Sequence, residues 1–285
     1  MRDKTCISKF KRRIRWLAKT AVLRLVEAKI VDSTEIYFES NGILKYKQNQ
    51  NGEYWFIRFV LEPLLADIKS PVALDIGANV GNYSQCLAGI IPKCQIYALE
   101  PNPIAYELLN NNLKHLKQIT CLNIGASSCA TASTLYVKNN QLSSSELATL
   151  YPDSLSVLRG YDSLFPIEAQ FNSIDNLQKD ATLPSYGINF IKIDTEGHEL
   201  DCFRGATNSL SDRSLRIVQF EFNDINILSR TFLKDFYDIL YPKFHLFRLD
   251  TNRLISLDSY DTSHEIFKYQ NIVAIREEFI SLVPR

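Results

Sequence analysis

Asp75-Ile76-Gly77-Ala78-Asn79-Val80-Gly81-Asn82-Tyr83-Ser84 is the stretch that decides the fold. An apolar run, Pro71 to Leu74, leads into it. A second apolar run, Gln95 to Leu99, ends in Glu100, nineteen residues past Gly81. A strand, a glycine-bearing turn, a helix and a second strand closing on an acid make the nucleotide-binding half of an open α/β sheet.

The letters of the turn narrow the ligand. It reads Gly-x-Asn-x-Gly with an Asp two residues ahead, not the Gly-x-Gly-x-x-Gly of dinucleotide sites. Gly77 and Gly81 lack a Cβ, so the backbone can turn sharply and approach a ligand closely. Asp75 ends the first strand beside the turn, where a carboxylate can hold a cationic amine. Glu100 ends the second, and an ionised carboxylate accepts from a pair of ribose hydroxyls. NAD would put a pyrophosphate at the helix N-terminus. S-adenosylmethionine puts none there, so the acid-flanked turn predicts S-adenosylmethionine.

Outward from this half, apolar runs alternate with helical patterns. Strands are predicted at Val72–Ile76, Gln95–Glu100, Ile119–Ile124, Ile188–Asp194, Arg216–Phe222, Phe244–Leu249 and Ile266–Arg276. Helices are predicted at Tyr54–Leu65, Asn82–Ala88, Pro103–Lys117, Leu200–Ser209 and Thr231–Tyr241. Such alternation implies a mostly parallel sheet covered on both faces, closed by a final antiparallel hairpin. Residues 139–166 break the pattern. They are long and polar, carry Ser143-Ser144-Ser145, and are expected to form a substrate-covering loop, with Ser144 a substrate contact.

The 285 residues carry 32 basic and 32 acidic side chains, unevenly placed. Residues 1–24 hold nine Lys or Arg and one Asp, a net of +8, which leaves the rest at −8. An acidic body argues against a nucleic-acid surface, and no Asn-Pro-Pro-Tyr or Asp-Pro-Pro-Tyr run is present. Six scattered cysteines without a Cys-x-x-Cys pair fit reduced thiols in the cytoplasm. Residues 9–30 read as a basic amphipathic helix, with Ile14, Leu17, Ala18, Ala21 and Leu25 on one stripe. Such a helix packs on the domain or lies on an anionic membrane as a peripheral contact. Short strands with a turn at Asn41-Gly42 follow it. No run reaches the ~18 apolar residues of a membrane span.

Ile191-Lys192-Ile193-Asp194-Thr195-Glu196-Gly197-His198-Glu199 is the second informative run, spanning a strand end and a helix start. Val218-Gln219-Phe220-Glu221-Phe222-Asn223 is another strand ending in polar groups. Together with Asp75 to Gly81, Glu100-Pro101-Asn102, Ile174-Asp175-Asn176-Leu177 and Gly205-Ala206, in this order, they make the chain resemble the FkbM family of S-adenosylmethionine-dependent methyltransferases over roughly residues 70 to 275. One departure is Gly125 in Asn123-Ile124-Gly125-Ala126-Ser127, where many relatives carry a bulkier residue.

The resemblance implies a class I methyltransferase, Rossmann-like α/β fold. Its mostly parallel seven-stranded sheet would have helices on both faces, with an N-terminal helical extension. Residues 1–50 would form that extension and residues 51–285 the catalytic domain. It implies O-methylation of a hydroxyl on a sugar, glycan or related small molecule. Asp75, Gly77, Asn79, Gly81, Glu100, Asn102 and Ala126 would bind the cofactor. Transfer from a sulfonium is an in-line displacement needing a base for the hydroxyl proton, for which His198, Glu196 and Asp194 are candidates. Glu221 and Asn223 would bind acceptor hydroxyls. Asp194, Glu196, His198 and Glu221 carry oxygen and nitrogen donors suited to a divalent ion, but no metal is assigned. Two other readings stand beside this one: an NAD-dependent sugar oxidoreductase or epimerase, and a non-catalytic binding module.

Overall fold

The computed structural model describes residues 51–138, 148–185, 187–257 and 259–283. The basic helix at 9–30, the short strands after it and Ser144 lie outside the described residues. Glu53–Phe56, Ile57–Leu61 and Glu62–Leu64 run head to tail as one helical segment, α1, whose middle piece has the wider π turn. Four helices and three strands then build the nucleotide-binding half and its neighbour: β1 (Val72–Ile76), α2 (Asn82–Ile90), β2 (Gln95–Leu99), α3 (Pro103–Leu113), β3 (Ile119–Leu122), and later α4 (Ile174–Lys179) and α5 (Glu199–Arg204). Asn102 caps α3 by accepting from the Ile104 amide, and Pro103 takes the first helical position, where a missing N–H costs nothing.

Between β3 and α4 the chain leaves the main sheet. β4 (Gly125–Ala126), β5 (Thr131–Lys138), β6 (Ala148–Thr149) and β7 (Leu164–Asn172) form a separate four-stranded sheet in the order β4-β7-β5-β6. The stretch expected as one long loop is therefore largely structured where it is described. It holds β6, a π turn at Ser154–Leu158 and the start of β7, which pairs antiparallel with β5 from Lys138↔Leu164 to Thr131↔Phe171. From Leu135 to Lys138, β5 alternates buried positions with more open ones, the period of a strand with one covered face.

The remaining elements are β8 (Ile188–Ile193), α6 (Thr207–Ser211), β9 (Ile217–Phe222), α7 (Ile225–Leu228), α8 (Leu233–Leu240), β10 (Phe244–Leu249), β11 (Leu254–Ser256) and β12 (Gln270–Arg276). The main sheet runs β11-β10-β12-β9-β8-β1-β2-β3. All seven strands expected from the sequence are in it, and the short β11 adds an eighth at the edge. β9, β8, β1, β2 and β3 run parallel to one another, while β12 runs antiparallel to both β9 and β10. The expected helix at 200–209 is split at Gly205-Ala206 into α5 and α6.

Each face of the sheet has its own core. Ala73, Phe190, Ile217 and Val273 pack with Phe56, Ile57 and Leu61 of α1 and Leu87 of α2. Leu74, Ile191, Val218 and Ile272 point the other way, onto Leu177 of α4, Phe203 of α5 and Phe236 of α8. β8, β9 and β12 are buried at every position, as strands covered on both sides must be. No helix among the described residues is long and apolar enough to cross a membrane. Because β1, β2, β8 and β9 run the same way, their carboxyl ends share one edge, and the motifs that follow them meet there.

Candidate active site

The turn after β1 is held by backbone geometry. Gly77 has φ +79°, and a Cβ on it would lie 1.8 Å from the Asp194 carbonyl oxygen, so only glycine lets the β1 and β8 ends approach this closely. The amides of Gly77 and Ala78 both donate to the Leu99 carbonyl. Asn79 is left-handed at φ +49°, and Gly81, at φ +93°, stands at the N-cap of α2. Asp75 is buried, and its Oδ2 accepts from Ser84 Oγ at 2.6 Å. Among the described residues its Oδ1 accepts no hydrogen bond, with Lys192 Nζ 3.6 Å away.

Glu100 closes the second side. Its Oε2 accepts from the Asn79 amide and its Oε1 from the Asn102 amide, both at 2.9 Å. Burial pushes its carboxyl up to about 7, against the lowering effect of those two amides. Asp75, Gly77, Asn79, Gly81, Glu100 and Asn102 are thus brought to one place. Ala126 is not an open contact: it is 1% exposed within the core, and its carbonyl accepts from Cys202 Sγ at 3.3 Å. Gly125 is accounted for by the second sheet, since a Cβ there would meet the Phe171 ring at 2.3 Å.

The β8 and β9 ends bring carboxyl groups of Asp194, Glu196 and Glu221 within 4.8 Å of one another. Three carboxylates this close cannot all ionise at neutral pH. Burial works against Asp194's charge, but the Lys192 ammonium 3.0 Å from its Oδ2 holds its pKa below the ordinary value. Burial and the Asp194 charge push Glu196 up to about 8 and raise Glu221 well above the carboxylate range. Asn223 donates from Nδ2 to Glu221 Oε1 at 2.7 Å, and its own Oδ1 accepts from the Ile225 amide, so it orients Glu221. The spacing of the three acids is also that of a divalent-cation site, but the Lys192 side-chain ammonium already pairs with Asp194, and no metal is assigned to it.

His198 is not brought into this cluster. Its Nε2 lies 3.0 Å from Ser127 Oγ, its Nδ1 lies 3.5 Å from Asp201 Oδ2, and its ring meets Phe171 edge-on. Burial lowers its pKa, against the opposing pull of Asp201. Glu196 sits at φ +52° in a loop fixed by Glu199, whose carboxylate accepts from the amides of Thr195 and Gly197. Thr149 Oγ1 of β6 donates to the Glu196 carbonyl, and Arg159 forms a two-bond clasp with Asp224 across the same region.

Three participants escaped the sequence reading. Lys192 is buried at 5% exposure, and its only signal was one cation inside an apolar strand. Glu199 stood in the motif as a further acid, but its backbone-clamping role needs the loop's geometry. Gln219, fully buried, accepts from Tyr83 Oη at 2.7 Å and donates to Glu53 and Asn271, each at 3.2 Å.

Residues 75–248 match the model of the methyltransferase FkbM domain. A hexuronic acid methyltransferase, AglP, of Haloferax volcanii is 26% identical over 170 residues, covering 59% of this chain and 62% of that protein. A methyltransferase, sdnD, of Sordaria araneosa is 27% identical over 158 residues, covering 48% and 61%. A 2-O-methyltransferase, NoeI, of Sinorhizobium fredii is 25% identical over 188 residues, covering 64% and 75%. The match thus spans under two thirds of the length of the first two relatives.

Proposed function

The chain belongs to the FkbM methyltransferase family, and from that premise we propose that it transfers a methyl group from S-adenosylmethionine to a hydroxyl of a sugar or glycan. The observation that carries this reading is the junction of two acid sets at one sheet edge: Asp75 and Glu100 around the glycine turn, and Asp194, Glu196 and Glu221 beside it. The first set fits the cofactor. The unbonded Asp75 Oδ1 is a buried acceptor for a cationic amine, directly or through water, and Glu100 keeps spare lone pairs for ribose hydroxyls.

When bound, S-adenosylmethionine supplies an electrophilic methyl group. The residues of this chain then have to bring an acceptor oxygen into line, within about 3–3.5 Å, and take its proton. Glu196 is our candidate base. Its proton affinity lies near neutral pH, where general bases work best, whereas Asp194 holds protons too weakly. Glu221, steadied by Asn223, would accept from acceptor hydroxyls. The names of the Haloferax and Sinorhizobium relatives favour a sugar acceptor and an oxygen target.

The test is a calorimetric titration with S-adenosylhomocysteine, NAD serving as control, followed by turnover with labelled methyl donor on a sugar panel. Binding of the former alone is expected. Glu196→Gln should keep that binding and lower kcat by the ~10²–10⁴ of a lost general base. His198→Ala, with its ring on Ser127 and Phe171, should lose much less. The reverse ranking would move the base to His198.

A further inference from the structure

We infer that Lys192 is a positioning residue for the proton-accepting cluster: its buried ammonium fixes Asp194 as the ionised member and leaves the exchangeable proton on the Glu196–Glu221 pair. This rests on the reading above of that cluster as the base. The geometry begins in the sheet. Asp75, Lys192 and Gln219 are register partners across β1, β8 and β9, so they form one row on one face. Apolar residues precede them on that face, Ala73, Phe190 and Ile217, and the row is where the core ends and the site begins.

Lys192 is 5% exposed, a burial that a lysine tolerates only when paired. Its Nζ lies 3.0 Å from Asp194 Oδ2 and 3.6 Å from Asp75 Oδ1. Tyr83 of α2 places its ring 4.9 Å from Nζ. Glu53 of α1 adds a third acid, held by Asn51 and Gln219, and β12 contributes Asn271 against Gln219. Asp194 in turn faces Glu196 and Glu221, with the charge of Arg159 bearing on both glutamates. Lys192 is therefore the cation between the cofactor-side acid and the acceptor-side acids.

One cation placed nearest Asp194 makes the three carboxylates unequal. Asp194 gains the opposite charge, while Glu196 and Glu221 gain a negative neighbour that disfavours their own ionisation. Protons then bind to the glutamate pair as a unit, with the affinity a base for a sugar hydroxyl needs. The pH–rate profile separates this role from a purely structural ion pair, whose loss would lower the stability of the fold and leave the acid limb of kcat/KM in place.

The experiment follows the carboxyl carbons by NMR in acceptor-free protein labelled at Asp and Glu, together with pH–rate profiles and S-adenosylhomocysteine affinity. Lys192→Met should raise the proton affinity of the cluster at least tenfold. The acid limb of kcat/KM should move to higher pH by the same amount, with cofactor-product affinity within a few-fold of wild type. Lys192→Arg should keep the wild-type midpoints. Midpoints unmoved in folded Lys192→Met would overturn the proposal. Asp194→Asn carries the test if Lys192→Met does not fold: loss of an ionised Asp194 should lower the pair's midpoints at least tenfold, and unchanged midpoints would show that Asp194 was not the ionised member. Shifted midpoints without methylation of any sugar would uphold the role of Lys192 and reject only the sugar reading.

Discussion

At the scale of single residues, Glu100 shows how a site acid is both legible and tunable. Its place was readable from spacing alone, because an acid at the end of the second strand has one edge to occupy. What the sequence could not show is that burial pushes its carboxyl up to about 7, against two backbone amides that pull it down. Lys192 is the opposite case. A lone lysine in an apolar strand is ambiguous until the register sets it between Asp75 and Gln219. The Glu100 carboxyl gives a direct prediction. A ligand that donates two hydroxyls favours the ionised form, so binding should weaken as pH falls through about 7. Calorimetry with S-adenosylhomocysteine between pH 6 and 8.5 should show affinity dropping toward acid by up to roughly tenfold per pH unit. Glu100→Gln should bind more weakly at the alkaline end and show no such slope. A flat wild-type profile would remove Glu100 from the ribose contact.

At the scale of elements, the turn between β1 and α2 and the loop between β8 and α5 are built against each other. The Asp194 amide donates to the Ile76 carbonyl, while the Asp194 carbonyl occupies the space a Cβ on residue 77 would take. Left-handed backbone recurs at this junction in Gly77, Asn79, Glu196 and Gly197. Such conformations cost energy for residues other than glycine and persist where the surroundings impose them. Gly77→Ala combines a strained φ with a clash against backbone that cannot swing away. It should cost at least about 2 kcal/mol, a fall in Tm of roughly 4–8 °C for a domain of this size, and S-adenosylhomocysteine binding should be lost with it. Gly89→Ala is the matched control in the same supersecondary unit. Gly89 is exposed in α2, and a methyl there would have no neighbour within 4 Å, so the exchange should stabilise by up to ~1 kcal/mol. Equal thermal shifts in the two variants would mean that the turn tolerates a side chain and that the two loops are not in the close contact described.

At the scale of the whole molecule, what the sequence made legible is the part with strong apolar contrast. Runs such as Ile188–Ile193 and Ile217–Phe222 are buried on both sides, so they stand out against the helices between them. The second sheet stayed hidden because β5 and β7 are half exposed, with Thr, Ser and Glu on their open positions, and because they pair with each other across residues that read as a polar loop. The candidate site was legible as a set of acids and not as a circuit, since whether Glu196 meets Glu221 or His198 depends on the turn at Gly197 and on how far β9 runs. The assembled circuit has a consequence for the folded protein as a unit. Burial raises the carboxyl pKa values of Glu53, Glu100, Glu196 and Glu221 together. A raised carboxyl pKa contributes stability that is fully present below the unfolded value and is lost as pH rises through the folded one. For Glu100 and Glu196 that loss runs from about 4.5 up to about 7 and about 8. Lys192, also raised, contributes a constant amount over this window, because its unfolded value lies above it. The cofactor-free protein should therefore unfold at a higher temperature at pH 6 than at pH 9. The difference should be on the order of ten degrees, since Glu100 and Glu196 together lose about three tenfold steps of proton affinity between pH 6 and 9, each worth roughly 1.4 kcal/mol. Glu100→Gln and Glu196→Gln together should flatten the profile, which differential scanning calorimetry across pH 5.5–9 would read directly. A wild-type Tm that climbs over the same range would mean that these carboxyls are ionised at little cost, and the shared-proton picture of the acid cluster would fall with it.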